Sequence, residues 1–179
     1  MDTKKLLVIS DSHEHIDKLK FAFQHGKDHN IEDAVFLGDG VEDLDSACKE
    51  FNYFPKWKIV RGNHDISETV LTVPKEEILE FGGHRFFLCH GKEYDLYKGN
   101  FELYKAAKNM GADVALYGHY HDCKKEKIGD IWIIRPGSIG GAQPSYGIRS
   151  FIVIECPPEK DIVVNLYEIR NGKIEHSIL

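Results

Sequence analysis

The sequence predicts an α/β fold in which two β-sheets pack face to face with helices outside. Three observations carry that expectation. In the first half, short apolar runs alternate with amphipathic helical stretches, the pattern of parallel strands joined by right-handed crossovers. The second half is rich in strand-like segments punctuated by Gly and Asn turns. Polar clusters built from Asp, Asn, His and Gly end the strands of both halves, so both halves serve one rim.

Lys5 to Ser10 is a continuous apolar run, suited to a strand buried on both faces. Ile16, Leu19, Lys20 and Phe23 follow at helical spacing, and Gly26 is placed to end that helix. Ala34 to Leu37 reads as a second buried strand, Val41 to Lys49 as a short helix, and Lys58-Ile59-Val60 as a third strand. Glu77 to Phe81 and Arg85 to Cys89 flank Gly82-Gly83, a hairpin signal. A helix is expected over Asn100 to Asn109, closed by Gly111. Strands are expected over Val114 to Tyr117, Ile131 to Arg135, Phe151 to Glu155 and Ile162 to Ile169, with Asn171-Gly172 as a last turn.

The 179 residues suit a single domain, 1–179, and 42% apolar against 29% charged residues argues against disorder. The formal net charge of -6 and the lack of a long basic stretch argue against long nucleic acid as a partner. Lys124-Lys125-Glu126-Lys127 reads as a solvated strand or turn. Cys48, Cys89, Cys123 and Cys156 form no CxxC pair and read as free thiols of a reducing compartment. The apolar run Leu6 to Ile9 falls short of a signal-peptide core, and no stretch is long enough to span a membrane, so the expected location is cytoplasmic.

The chemistry lies at the strand ends. They read Asp11-Ser12-His13, Gly38-Asp39, Gly62-Asn63-His64-Asp65, Cys89-His90-Gly91 and Gly118-His119-Tyr120-His121. Each cluster alone is weak, and alternation along an extended 118–121 segment would put both histidines on one side. Besides His64 and Asp65, they supply two carboxylates, one amide oxygen and four imidazoles. Such mixed oxygen and nitrogen donors suit Mn, Fe, Zn or Ni, and they are enough for two ions sharing a carboxylate.

In this order the clusters resemble the signature of the calcineurin-like metallophosphoesterases, over residues 11 to 121. The compact length is similar to the small YfcE-like phosphodiesterase branch, and Arg135-Pro136-Gly137-Ser138 resembles that branch's Asn-Pro-Gly-Ser element. The resemblance implies a four-layer αββα sandwich of two mixed sheets. It implies a first metal on Asp11, His13 and His121, a second on Asn63, His90 and His119, and Asp39 bridging both. It places His64 facing the scissile ester, with Asp65 holding the orientation of His64 and favouring its protonated form. The implied cofactors are two divalent transition-metal ions per chain, Mn first, with Fe, Ni or Zn as alternatives. A hydroxide bridging them would attack phosphorus in line, and His64 would protonate the departing oxygen.

Several positions depart from the family pattern. Glu14 stands where many members have glycine, followed by His15, which reads as a solvent-facing helix start. Arg135 replaces asparagine and is either a loop brace or a phosphate ligand. Residues 140–147 have the composition of a turn-forming flap. His25, His29, His84 and His176 fall outside the motifs. Gly38-Asp39 is not followed by the arginine of the related protein phosphatases, which favours a small phosphodiester, with nucleotides among the candidates, over a monoester. The competing reading is a non-catalytic protein-binding scaffold like the retromer subunit of this fold; His64 and the complete ligand set weigh against it. Oligomeric state is left open, with room for a homo-oligomer.

Overall fold

The computed structural model describes residues 2–141 and 148–179. Six strands form one sheet in the order β11 (Lys173–Ile178), β10 (Val163–Arg170), β9 (Arg149–Cys156), β1 (Lys4–Ile9), β2 (Asp33–Phe36) and β3 (Lys56–Ile59). Five form the other, in the order β4 (Glu76–Phe81), β5 (His84–Cys89), β6 (Val114–Tyr117), β8 (Ile131–Pro136) and β7 (Cys123–Ile128). Strands β1, β2 and β3 run parallel, as do β5, β6 and β8, while the outer pairs are antiparallel; both sheets are therefore mixed.

The apolar run of β1 is explained by its two faces. Leu6 and Val8 point into the interface between the sheets, where they meet Val35, Leu88, Leu116 and Ile152. Leu7 and Ile9 point outward, into a second core with Phe23, Phe36, Ala47 and Phe151. All four β1 residues are fully buried, and each such burial contributes roughly 1.5–3 kcal/mol. Helices α1 (Ile16–Asp28) and α2 (Val41–Phe51) cover that outer face. Helix α3 (Phe101–Asn109) covers the other sheet through Leu103 and Ala107, which pack with Phe87, Tyr117 and Ile133. The result is helix, sheet, sheet, helix, as expected.

The two hairpin turns fall where the sequence places them. Phe81 pairs with His84 around Gly82-Gly83, and Arg170 with Lys173 around Asn171-Gly172. The lysine-rich segment 124–127 lies in the edge strand β7, where charge guards an unpaired ladder. One boundary is corrected: Gly26 does not end α1, which runs on to Asp28. It is glycine because a Cβ there would lie 2.4 Å from the Tyr53 hydroxyl. That hydroxyl donates to the Ile31 carbonyl at 2.7 Å and ties the end of α1 to the segment after α2. Of the expected flap, residues 142–147 lie outside the described residues. No helix among those described is long and apolar enough to cross a membrane.

Candidate metal centre

Parallel β1, β2 and β3 release Asp11, Asp39 and Asn63 at their carboxyl ends. Parallel β5 and β6 release His90, His119 and His121. Main-chain bonds stitch the loops together. The Asp11 amide donates to Gly38 O at 2.9 Å, His13 to Asp39 O at 3.1 Å and Gly118 to His90 O at 3.0 Å. Bonds also cross between the sheets: His90 Nδ1–H donates to the Leu37 carbonyl at 2.7 Å, and the His119 amide to Asp11 Oδ2 at 3.2 Å. Because the Leu37 carbonyl can only accept, Nδ1 carries a proton and Nε2 is the ring atom that faces the site.

The backbone here is costly. Asp11, His13, Asp39 and His119 have φ of 55°, 46°, 57° and 66°, in the left-handed region that non-glycine residues avoid. Gly118 shows why the loops must be so close. A Cβ on it would sit 2.2 Å from Ser10 Oγ and 2.9 Å from Asp11 Oδ2.

Ligand atoms at about 2.0–2.2 Å from one ion stand roughly 3–3.5 Å from each other. His13 Nε2 and His121 Nε2 are 3.2 Å apart, and they lie 3.7 Å and 3.5 Å from Asp11 Oδ1. These three residues bring one donor atom each to a common point. A second group joins Asp11, Asp39 and His90, with His90 Nε2 3.3 Å from Asp39 Oδ2. That contact lacks the alignment of a hydrogen bond. Asp11 Oδ1, Asn63 Oδ1 and His90 Nε2 are all buried without a hydrogen-bond partner among the described residues. Leaving a buried polar atom unmatched costs about 1–3 kcal/mol, so three together at one rim call for a ligand. The donor set and its spacing fit divalent metal. The ring of His119 lies 5.2 Å from that of His90.

The charges point the same way. Asp11 and Asp39 are almost wholly buried, and buried carboxylates need compensating cations. For Asp39, burial opposes ionisation, but the His90 ring outweighs it and pulls the carboxyl below its usual range. For His90, burial likewise opposes charge, and Asp39 with Asp11 overcomes it, lifting the ring to about 8. Asp11 also raises His121. His13 and His119 are lowered, chiefly by burial.

His64 stands at the mouth, its side chain 69% exposed and Nε2 3.9 Å from Asp39 Oδ2. Its amide donates to Asp39 Oδ1 at 2.8 Å. Asp65 is placed differently from expectation. Its carboxylate does not orient the His64 ring; it turns inward, where Oδ2 accepts from the amides of Asp39 and Gly62, both at 2.7 Å. Oδ1 accepts from Gly40 and Val41, both at 2.9 Å. Four converging N–H groups between two loops are a better partner for a buried carboxylate than one exposed imidazole. The 118–121 segment also differs: it bends at His119 instead of running extended. Its two histidines consequently serve different sides, His121 beside Asp11 and His13, His119 beside His90.

Sequence reasoning missed several braces. Asp43, buried in the first turn of α2, accepts from Ser12 Oγ at 2.5 Å and the Glu14 amide at 3.0 Å, holding the loop that carries His13. An acid in a first turn looks like an ordinary helix start, so no signal marked it. Ser138 Oγ donates to the Asp11 carbonyl at 2.8 Å, which gives the Pro136-Gly137-Ser138 element its purpose. Arg135 is the loop brace of its two alternatives. It donates to the Asp122 carbonyl at 3.1 Å, to the Tyr117 hydroxyl at 2.8 Å and to the Asp122 carboxylate.

Known proteins resemble this chain in sequence and in fold. The phosphodiesterase MJ0936 of Methanocaldococcus jannaschii is 28% identical over 159 residues, which cover 80% of this chain and 91% of that protein. A predicted phosphoesterase of Streptococcus pneumoniae superposes with a TM-score of 0.77 at 19% identity, over 100% of this chain and 99% of its own. Vps29 of Chaetomium thermophilum does so with a TM-score of 0.77 at 19% identity, over 98% and 97%. The family model described as the calcineurin-like phosphoesterase superfamily domain matches residues 5–157. That span takes in every rim cluster from Asp11 to His121, and the chain belongs to the calcineurin-like phosphoesterase superfamily.

Proposed function

We propose that this chain is a two-metal phosphodiesterase acting on a small phosphodiester. The observation that carries this reading is the set of buried, unpartnered donors, Asp11 Oδ1, Asn63 Oδ1 and His90 Nε2, opening on one rim. Asp11, His13 and His121 would hold one ion, and Asn63, His90 and His119 the other, with Asp39 between them. Manganese is the first choice, with Fe, Ni or Zn as alternatives. Two divalent ions so held would supply Lewis-acid chemistry for activating water and neutralising phosphoryl oxygens.

The chain's own residues do the rest. Hydrolysis forms a bond from phosphorus to the water oxygen and breaks the bond to one ester oxygen. His64, exposed at the mouth, gives its proton to that departing oxygen. Asp65 is a positioning residue: by gathering the amides of 39–41 and 62 it sets Asp39 and Asn63 in register. The stretch that follows Gly38-Asp39, Gly40-Val41-Glu42-Asp43-Leu44, carries no arginine to clamp a dianionic monoester, which favours a diester. The phosphodiesterase name of the M. jannaschii relative supports the same choice.

Metal-stripped protein, assayed on bis(nitrophenyl) phosphate and nitrophenyl phosphate with Mn added back, tests this. Metal-dependent diester turnover well above monoester turnover is expected. Two bound metals without hydrolysis of either ester would favour the second reading, a protein-binding scaffold, for which the likeness to Vps29 speaks.

A further inference from the structure

A cleft of about 250 Å³ opens beside His119, lined by Lys92, Leu96, Tyr97 and Tyr120 among others. It shares no lining residue with the cleft that holds His13 and His64. A diester has two arms. With the departing oxygen at His64, the arm that stays on phosphorus needs an outlet elsewhere on the rim.

The cleft has a specific chemistry. Tyr97 is 81% exposed, and its ring meets that of Tyr120 nearly at right angles, with centroids 5.7 Å apart. Tyr120 is held in place: its ring stands 5.5 Å from His119, and the Arg135 guanidinium lies over it at 5.0 Å. Arg135 is itself tied to Asp122 and Tyr117. The two tyrosines form an aromatic corner in which Tyr120 is braced and the Tyr97 ring stands largely in solvent. The acids nearby are already paired, Glu93 with Lys75 at 3.1 Å and Asp95 with Lys98 at 2.5 Å. Lys92 has no carboxylate partner among the described residues, and its charge is felt at His119. An aromatic corner with a free cation, opening from a phosphoryl site, matches a nucleoside phosphate: the base has a π-face to stack and the phosphate has charge to meet.

We propose that the cleft beside His119 is a base-binding subsite, where Tyr97 and Tyr120 take the planar base of a nucleoside phosphodiester and Lys92 faces its phosphate. This rests on the phosphodiesterase reading above and names its substrate class.

Two diesters that release the same nitrophenolate separate the effects: thymidine 5′-nitrophenyl phosphate and methyl nitrophenyl phosphate. The wild-type protein should prefer the thymidyl ester. In Tyr97→Ala the thymidyl-to-methyl ratio of kcat/KM should fall about tenfold, through KM, as expected for a lost stacking contact. Phe101→Ala, which removes another exposed aromatic outside the cleft, should keep the ratio. Calorimetric titration with thymidine 5′-monophosphate and methyl phosphate gives a second readout, with about a tenfold relative loss expected for the nucleotide in Tyr97→Ala. An unchanged ratio and unchanged relative affinity in Tyr97→Ala overturn the subsite. If neither ester is hydrolysed but the nucleotide binds in a Tyr97-dependent way, the phosphodiesterase reading falls and the subsite stands.

Discussion

Asp65→Asn separates two roles for a residue that lies next to a candidate acid in sequence but faces away from it in space. Each carboxylate oxygen accepts two backbone N–H groups, Asp39 and Gly62 on Oδ2, Gly40 and Val41 on Oδ1. An amide has one accepting end and one donating end. Whichever way the substituted side chain turned, two of the four N–H groups would face its NH2. Each loses a charge-assisted bond inside a buried junction, at about 1.5–2 kcal/mol, so the expected loss is roughly 3–4 kcal/mol. For a chain of this size that corresponds to a fall in Tm of about 6–16 °C. The loops so loosened carry Asp39 and Asn63, so metal affinity should fall with stability. Thermal unfolding of metal-free protein, paired with calorimetric titration of Mn, measures both. A Tm within about 1 °C of wild type, with full metal affinity and a shifted pH–rate profile, would show that Asp65 acts through His64 and that the loop-clamp reasoning is mistaken.

Other outcomes follow from the same geometry. His64→Ala should leave Mn binding at its wild-type level in calorimetric titration, because its ring is exposed and outside the converging donor groups. It should slow hydrolysis of a diester with a poor leaving group by about 100-fold or more; full turnover on such a substrate would remove His64 from the mechanism. Gly118→Ala drives a Cβ to 2.2 Å from Ser10 Oγ, so it should cost about 1–3 kcal/mol and weaken Mn binding, read by calorimetry and denaturant titration. His25 is buried against His29 and Tyr167, at ring distances of 4.0 Å and 4.2 Å. Burial, then the neighbouring His29, lower it to about 4 from the usual 6.5. The unfolded chain therefore binds a proton that the folded chain refuses. Stability falls as pH drops from 6.5 towards 4 and levels off below. His25→Phe should flatten that slope by about 1–2 kcal/mol in denaturant titrations across the window, and an unchanged slope would refute the assignment.

The fold was legible where one physical cause dominates. Leu6 to Ile9 read as a doubly buried strand because both of its faces meet apolar layers, and composition alone reports that. The Gly82-Gly83 and Asn171-Gly172 turns were legible because few residues accept such backbone. Gly26 was misread because a glycine near a helix end has two uses. It can close the helix or admit a neighbour, and only the position of Tyr53 decides. Strand β7 carries no apolar alternation, since it lies at an edge with lysines turned to water, and so it could be read only as a strand or a turn.

The site was legible as a list of donors but not as an arrangement. Strand ends named Asp11, His13, Asp39, Asn63, His90, His119 and His121, because polar residues after apolar runs stand out. Extended alternation then failed at 118–121, where His119 takes a left-handed φ of 66°. That failure has a cause. Local preference disfavours such backbone at Asp11, His13, Asp39 and His119, by about 1–2 kcal/mol each. The surrounding braces hold them against it: the Asp65 carboxylate under Asp39, the Asp43 carboxylate under Ser12 and Glu14, and the Ser138 hydroxyl on the Asp11 carbonyl. None of the three braces contributes a donor to the converging groups. A reading that seeks ligands finds the strained residues, while their supports lie tens of positions away, among ordinary helix and loop residues. In this chain the supports hold that geometry, so substitutions at Asp43, Asp65 and Ser138 should disturb the converging donor groups without removing a donor from them.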